Sequence, residues 1–299
     1  MEVSPEVERA LRDHRPVVAL ETTLVTHGFA PPSNVDIALR MCEVVRENGA
    51  VPAIIGIVRG KAHIGLNDAE LKALADNSAA RKVSNRDLAI ALGQCATGGT
   101  TVAATAILAH RAGIQVFATG GIGGVHRGHP EDVSADLVTL AATPIVVVCA
   151  GAKSILDLPK TLEYLETHGV PVVGYGTDEF PAFYSRRSGL RVDARADNPA
   201  DVARMVAARD ALDLHAAVLV CAPCPELDEL PFEEAETAIA QAVAEAEVAS
   251  IGGKALTPFL LARLVELTGG QSQRANEALL RHNASVAAHI ARMLAGSSR

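Results

Sequence analysis

The 299-residue chain is 49% hydrophobic and 21% charged, enough apolar material for one large core and too much for a disordered chain. Its net charge of -8 offers no basic face to duplex DNA or RNA, and 3% aromatic residues with no Trp are too few for a single-strand stacking platform. Ala, Val, Leu and Ile must therefore build the core, the usage of helices packed on strands in α/β proteins.

Met1 to Pro16 carries Glu2, Glu6, Glu8, Arg9, Arg12 and Asp13 and has no apolar segment of the signal-peptide kind. Within it, Ser4-Pro5 is a cap followed by a proline, a helix start. The longest apolar run, Ile145–Ala152, has the length of a buried strand and not of a membrane span. A cytoplasmic protein with neither membrane nor nucleic-acid partners is expected.

The first strand is predicted over Val17–Glu21. It closes on a carboxylate, Glu21, followed by Thr22-Thr23 and His27-Gly28. An acid at the end of a buried strand is either an acid–base group whose proton affinity is raised by burial or a cap for nearby backbone N–H groups. Val35–Glu47 reads as a helix ending at Asn48-Gly49, Ala53–Val58 as a buried strand and Lys61–Leu66 as a more exposed one. Asn67 with Glu70 and Ser84 with Asp87 have capping-box spacing. Lys82 lies between those two helices, where a phosphate partner and plain solvation both fit.

Thr97-Gly98-Gly99-Thr100-Thr101-Val102 opens a helix over Thr101–Ala112. Free N–H groups and small side chains there suit a phosphate, or simply form a turn with a Thr cap. A strand over Val116–Thr119 precedes Gly120-Gly121-Ile122-Gly123-Gly124. That run lacks dinucleotide-binding spacing, because His126 stands where the third Gly would be. Asp132 and Asp136 are four apart in Glu131-Asp-Val-Ser-Ala-Asp136. On one helical face they would hold a hard divalent ion or sugar hydroxyls, and otherwise they are N-terminal acids favoured by the helix dipole. His126 and His129 do not have zinc spacing.

The strand Ile145–Cys149 leads into Ala-Gly-Ala152 and Lys153. A Lys just past a strand and a Gly turn either opens the next helix, Ser154–Thr167, or sits at a pocket mouth, where desolvation or a second cation favours the neutral amine. Val170–Gly174 is a weaker strand because Pro171 cannot donate to a ladder. Arg186–Pro199 is the most loop-like stretch, and Asn198-Pro199 starts a helix to about Asp210. A last strand, Ala217–Cys221, runs into Cys221-Ala-Pro-Cys224. An odd count of five Cys argues for free thiols, and this pair lacks both a second zinc pair and a helix-opening redox setting. Glu233–Leu294 reads as helices broken near Gly252-Gly253 and Gly269-Gly270. These elements predict one domain, residues 1–299, as a three-layer α/β/α fold with a central, mostly parallel or mixed sheet and a helical C-terminal segment.

Several segments, in this order, resemble one family over nearly the whole chain. They are Ala19-Leu-Glu-Thr-Thr-Leu-Val-Thr-His-Gly28, Lys82-Val-Ser-Asn-Arg-Asp-Leu88, Gly98-Gly-Thr-Thr-Val-Ala-Ala-Thr105, Phe117-Ala-Thr-Gly-Gly-Ile-Gly-Gly-Val-His-Arg-Gly128 and Asp132-Val-Ser-Ala-Asp-Leu137. Cys149-Ala-Gly-Ala-Lys-Ser-Ile-Leu-Asp157, Phe180-Pro-Ala-Phe-Tyr-Ser185 and Gly253-Lys-Ala-Leu-Thr-Pro-Phe-Leu-Leu261 complete the set. The family is the pseudouridine-5′-phosphate glycosidases. The resemblance implies reversible cleavage of the C–C bond between uracil and ribose 5-phosphate, with Lys153 as the nucleophile that forms an imine at C1′ and Glu21 as the proton donor. It also implies that Lys82, Thr101 and the Val102 backbone hold the phosphorylated ribose, that Ser134, Ala135 and Asp136 contact substrate, with Asp136 a second group for proton movement, and that Asp132 binds one divalent ion per subunit, usually manganese. Thr119, His126 and Asn283 are candidates for contacts around the uracil. By the same resemblance the small-molecule substrate is bound by a homotrimer. Cys221-Ala-Pro-Cys224-Pro225 departs from the Asn-Pro loop expected there. The residues alone leave two alternatives, a Schiff-base aldolase or lyase on another sugar phosphate and a non-catalytic nucleotide-binding protein.

Overall fold

A computed structural model describes residues 1–252 and 256–297. Gly253, Lys254 and Ala255, which open the motif ending at Leu261, lie outside the described residues. The central sheet runs in the spatial order Glu2–Val3, Lys61–Ile64, Val51–Val58, Val17–Leu20, Val116–Ala118, Val146–Cys149, Val218–Cys221, Val172–Tyr175, Ala194–Ala196. From Val51–Val58 to Ala194–Ala196 every pairing along this path is parallel. Val51–Val58 pairs antiparallel with Lys61–Ile64 and Gly98–Thr100, which makes the sheet mixed. Continuous apolar strands are what a parallel sheet covered on both faces requires. Val146, Val147, Val148 and Cys149 are all 0% exposed.

Helices return the chain between parallel strands, as such crossovers must. Gln271–Ser297 packs on the central strands between Ser33–Glu47 and Pro199–Ala211. Val102–Arg111 packs against Ala135–Leu140 and the strands beneath. The result is the expected three-layer α/β/α architecture. The caps at Asn67 with Glu70 and at Ser84 with Asp87 both form. The C-terminal helices are Phe232–Val248, Leu256–Leu267 and Gln271–Ser297, the last break falling at Gly269-Gly270, where both φ values are positive and Gly is the residue that adopts them without strain.

Three local expectations change. The stretch Arg186–Pro199, read as the most loop-like, contains the edge strand Ala194–Ala196, paired parallel with Val172–Tyr175. Asp132 and Asp136 do not share a helix face: Asp132 lies in the strand His129–Val133, which pairs antiparallel with Val125–His126. Asp136 lies in the first turn of Ala135–Leu140, whose N-cap is Ser134. The expected helix from Ser154 begins only at Leu158. Asp157 accepts from Lys160 N as the N-cap and Pro159 occupies the first turn, while Leu156-Asp157 pairs with Val125-His126. A proline in the first turn is pre-set for a helix start, and the pairing uses the backbone groups upstream of it.

Candidate active site

The parallel strands end on one edge of the sheet, where pockets of α/β folds form. Glu21 follows Val17–Leu20, Thr119 follows Val116–Ala118, and Lys153 lies on the loop after Val146–Cys149. A polar cleft of about 430 Å³ opens there. Of the residues named from sequence, Glu21, Lys82, Thr101, Val102, His126, Asp132, Ser134, Ala135, Asp136 and Lys153 all border it. A smaller adjoining pocket is bordered by Thr119 and by Leu24, Phe29, Phe183, Leu261 and Leu280. Glu21, Lys82 and Lys153 border both, so the three ionisable groups stand where the polar and apolar compartments meet. Asn283 borders neither. It is 0% exposed, and its Nδ2 donates to Thr119 O at 2.8 Å and Gly120 O at 3.3 Å.

Glu21 is 7% exposed. Burial raises its carboxyl above the ordinary carboxylate range. Lys153, a hydrogen bond donated by the Thr119 hydroxyl and the charge of Lys82 pull it back, and Asp136 adds to the rise. The segment after Glu21 is locked by a buried hydroxyl network. Thr22 donates to Ile55 O at 2.7 Å, Thr100 N donates to Thr22 Oγ1 at 3.0 Å, and Thr105 donates to Thr100 Oγ1 at 2.8 Å. These threonines lie in two separate motifs, and nothing local in the sequence shows that they meet.

Asp136 is 5% exposed, and each of its carboxylate oxygens accepts a backbone hydrogen bond. Its Oδ1 accepts from Ala103 N at 2.9 Å and its Oδ2 from Gly123 N at 2.8 Å. It thereby joins the helix start at Thr101-Val102 to the Gly120–Gly124 turn. Gly123 has to be glycine, since a Cβ there would stand 2.2 Å from Ser134 Oγ and 2.8 Å from Asp136 Oδ2. His126 faces the same cluster. Burial lowers its proton affinity below the usual imidazole range; Asp132 opposes this, and Lys82, His129 and Lys153 reinforce it.

Asn276 and Phe183 border the apolar pocket without having been assigned a role from sequence. Phe183 lay in a noted motif, and its signal is its backbone: φ is +62°, a strained setting for a bulky side chain. Its N–H donates to Ala150 O at 3.0 Å, which ties it to the turn before Lys153. Cys149 and Cys221 face each other in register and are 0% exposed. Burial raises the thiols of Cys221 and Cys224, the latter to about 12, so both are packed as small apolar residues. Among the described residues no three His, Cys, Asp or Glu side chains converge on a metal position.

The sequence profile of the family described as indigoidine synthase A like protein matches residues 6–293. A structure of an indigoidine synthase A-like protein from Thermotoga maritima superposes with a TM-score of 0.90 at 39% identity, covering 98% of this chain and 96% of that one. The prealnumycin C-glycosynthase AlnA, solved in complex with ribulose 5-phosphate, superposes at 0.92 with 42% identity, covering 99% and 97%. The pseudouridine-5′-phosphate glycosidase of Methylobacterium nodulans is 56% identical, covering 99% of this chain and 89% of the relative. That of Solibacter usitatus is 54% identical, covering 97% and 98%. The chain belongs to the pseudouridine-5′-phosphate glycosidase family of indigoidine synthase A-like enzymes.

Proposed function

We propose that this enzyme cleaves, reversibly, the C–C glycosidic bond of pseudouridine 5′-phosphate to give uracil and ribose 5-phosphate. The observation that carries the reading is the placement of Glu21, Lys82 and Lys153 at the junction of a polar cleft and an apolar pocket. The phosphorylated ribose fits the cleft, with Lys82 and the helix start at Thr101-Val102 toward its phosphate. The flat base fits the apolar pocket.

A C–C glycoside has no leaving oxygen or nitrogen to protonate, so paired carboxylates of the usual glycosidase kind do not suffice. Lys153 supplies the alternative. Its neutral Nζ bonds to C1′ as the C1′–O4′ bond breaks, and the proton the new ammonium sheds passes to O4′, which leaves the nitrogen a lone pair. The nitrogen lone pair then expels the base as an imine forms. The electron pair of the broken C1′–C5 bond stays on uracil C5, where a proton delivered by Glu21 joins it. Water hydrolyses the imine, freeing Lys153 and ribose 5-phosphate. The raised proton affinity of Glu21, caused by its burial, suits a proton donor.

A divalent ion, manganese in our reading, is held through Asp132. A lone exposed carboxylate fits a largely hydrated ion better than an all-protein cage. Such an ion would supply neutralisation of the substrate's negative charge. Homotrimeric assembly and a cytoplasmic setting complete the proposal; no described helix is long and apolar enough to cross a membrane.

The test is incubation with pseudouridine 5′-phosphate and manganese, following both products, with Lys153→Ala alongside. Wild type is expected to release uracil and ribose 5-phosphate, and the variant to release neither. Normal turnover by Lys153→Ala would refute the imine route. A borohydride-trapped ribose 5-phosphate adduct without uracil release would instead indicate a Schiff-base aldolase.

A further inference from the structure

The chemistry above makes no use of Arg127, yet this side chain is the most heavily engaged donor beside the nucleophile. It lies in the turn between Val125–His126 and His129–Val133, the hairpin that brings His126 and Asp132 to the cleft. Its Nη1 and Nη2 each donate to Glu236 at 2.7 Å, a bidentate pair with the helix Phe232–Val248. The same guanidinium donates from Nη2 to Ser154 O at 2.7 Å and from Nε to Leu156 O at 3.0 Å. Those two carbonyls belong to the segment immediately after Lys153.

The other side of Lys153 is held by main-chain hydrogen bonds. Lys153 N donates to Ile122 O at 3.1 Å, and Ile122 N to Gly151 O at 3.1 Å. The adjoining Ser154 contributes no anchor of its own, its buried hydroxyl having no partner among the described residues. A partly exposed ion pair adds little to stability, and Arg127 and Glu236 are 29% and 32% exposed. A fork spent on two carbonyls just after a nucleophile therefore serves geometry more than stability.

Resting on the imine reading, we propose that Arg127 is a positioning residue. With Glu236 it fixes the Ser154–Leu156 backbone, aims Lys153 Nζ at the sugar, and couples the nucleophile to the hairpin that carries His126 and Asp132. The reacting atoms of a near-attack pair stand about 3 to 3.5 Å apart, and misplacement by about 1 Å costs on the order of 100-fold. The loss should fall on the chemical step and spare ground-state binding.

The full chain is compared as wild type, Arg127→Ala, Arg127→Lys and Glu236→Gln. The readouts are kcat and KM for uracil release, the rate of borohydride trapping with ribose 5-phosphate, and Tm. Arg127→Ala is expected to lose roughly 10- to 100-fold in kcat and in trapping rate with KM within about threefold, and added guanidinium ion to restore part of kcat. Arg127→Lys, with a point charge in place of the fork, recovers only part of the loss. Glu236→Gln should lose less than tenfold, since both carbonyl contacts survive it, and it reports should Arg127→Ala fail to fold. Unchanged kcat with a lower Tm would mean a purely structural role and overturn the proposal, as would a raised KM at normal kcat. If wild type releases no uracil, the proposed function fails while the trapping rates still test Arg127. If wild type turns over but is not trapped, the imine fails while the kcat ratio still tests it.

Discussion

Asn283 offers the sharpest separation between a residue that reads substrate and one that holds the site. Its side chain is wholly buried in the last helix and donates to the carbonyls of Thr119 and Gly120. In Asn283→Ala the Gly120 carbonyl keeps its bond from Ala150 N at 2.8 Å, whereas Thr119 O loses the donor that Asn283 supplied. A buried carbonyl left without a donor costs about 1 to 3 kcal/mol, and the small void adds about 1 kcal/mol. The Asn283 Oδ1 atom is itself buried without a partner among the described residues, so its removal recovers about 1 to 2 kcal/mol. The net loss is about 0 to 3 kcal/mol, centred on ~1.5 kcal/mol, which at the centre is a fall in Tm of roughly 2 to 3 °C for a chain of this size. Because the strut holds Thr119, and Thr119 holds Glu21, kcat should decline modestly while KM stays within about threefold. Thermal melts and steady-state uracil release measure both. An unchanged Tm with a KM raised tenfold or more would show that Asn283 contacts the base and that the strut is the wrong reading.

Thr119→Val removes the hydrogen bond that favours the charged form of Glu21, so the pH limb of kcat/KM that reports Glu21 should move to higher pH; a superimposable or downshifted profile would contradict this assignment. Glu21 also links stability to pH. Burial raises its folded proton affinity above the unfolded carboxylate value of about 4.3, so the stability it contributes is present below that value and is lost as pH rises through the folded one. The Tm of Glu21→Gln minus that of wild type should therefore grow from acid to neutral pH, and a gap that shrinks over that range would reverse the sign. Asp132→Asn should raise the manganese concentration needed for half-maximal activity, with Tm changed little because the side chain is exposed; an unchanged metal requirement would remove Asp132 as the ligand.

The linear sequence determined what depends on near neighbours in the chain. Continuous apolar runs such as Val146–Cys149 declared strands buried on both faces, and Asn67 with Glu70 declared a helix start that closes as a capping box. Gly269-Gly270 declared a break between helices. The ordered motifs around Glu21, Lys82, Asp132 and Lys153 pointed to one site and one chemistry, and those residues border one cleft. Tertiary structure decided what depends on pairing across long separations. The sheet order is set by which strands exchange backbone hydrogen bonds, and local propensity carries no record of that choice. Pairing with Val125-His126 withdrew Leu156-Asp157 from a helix that its own residues allowed, and the ladder to His129–Val133 separated Asp132 from Asp136. Polar groups completed the site by finding partners far along the chain: buried Thr119 for Glu21, buried Asn283 for Thr119, and half-buried Arg127 between Glu236 and the carbonyls beside Lys153. A buried donor or acceptor has to be satisfied somewhere, and only the folded chain fixes where.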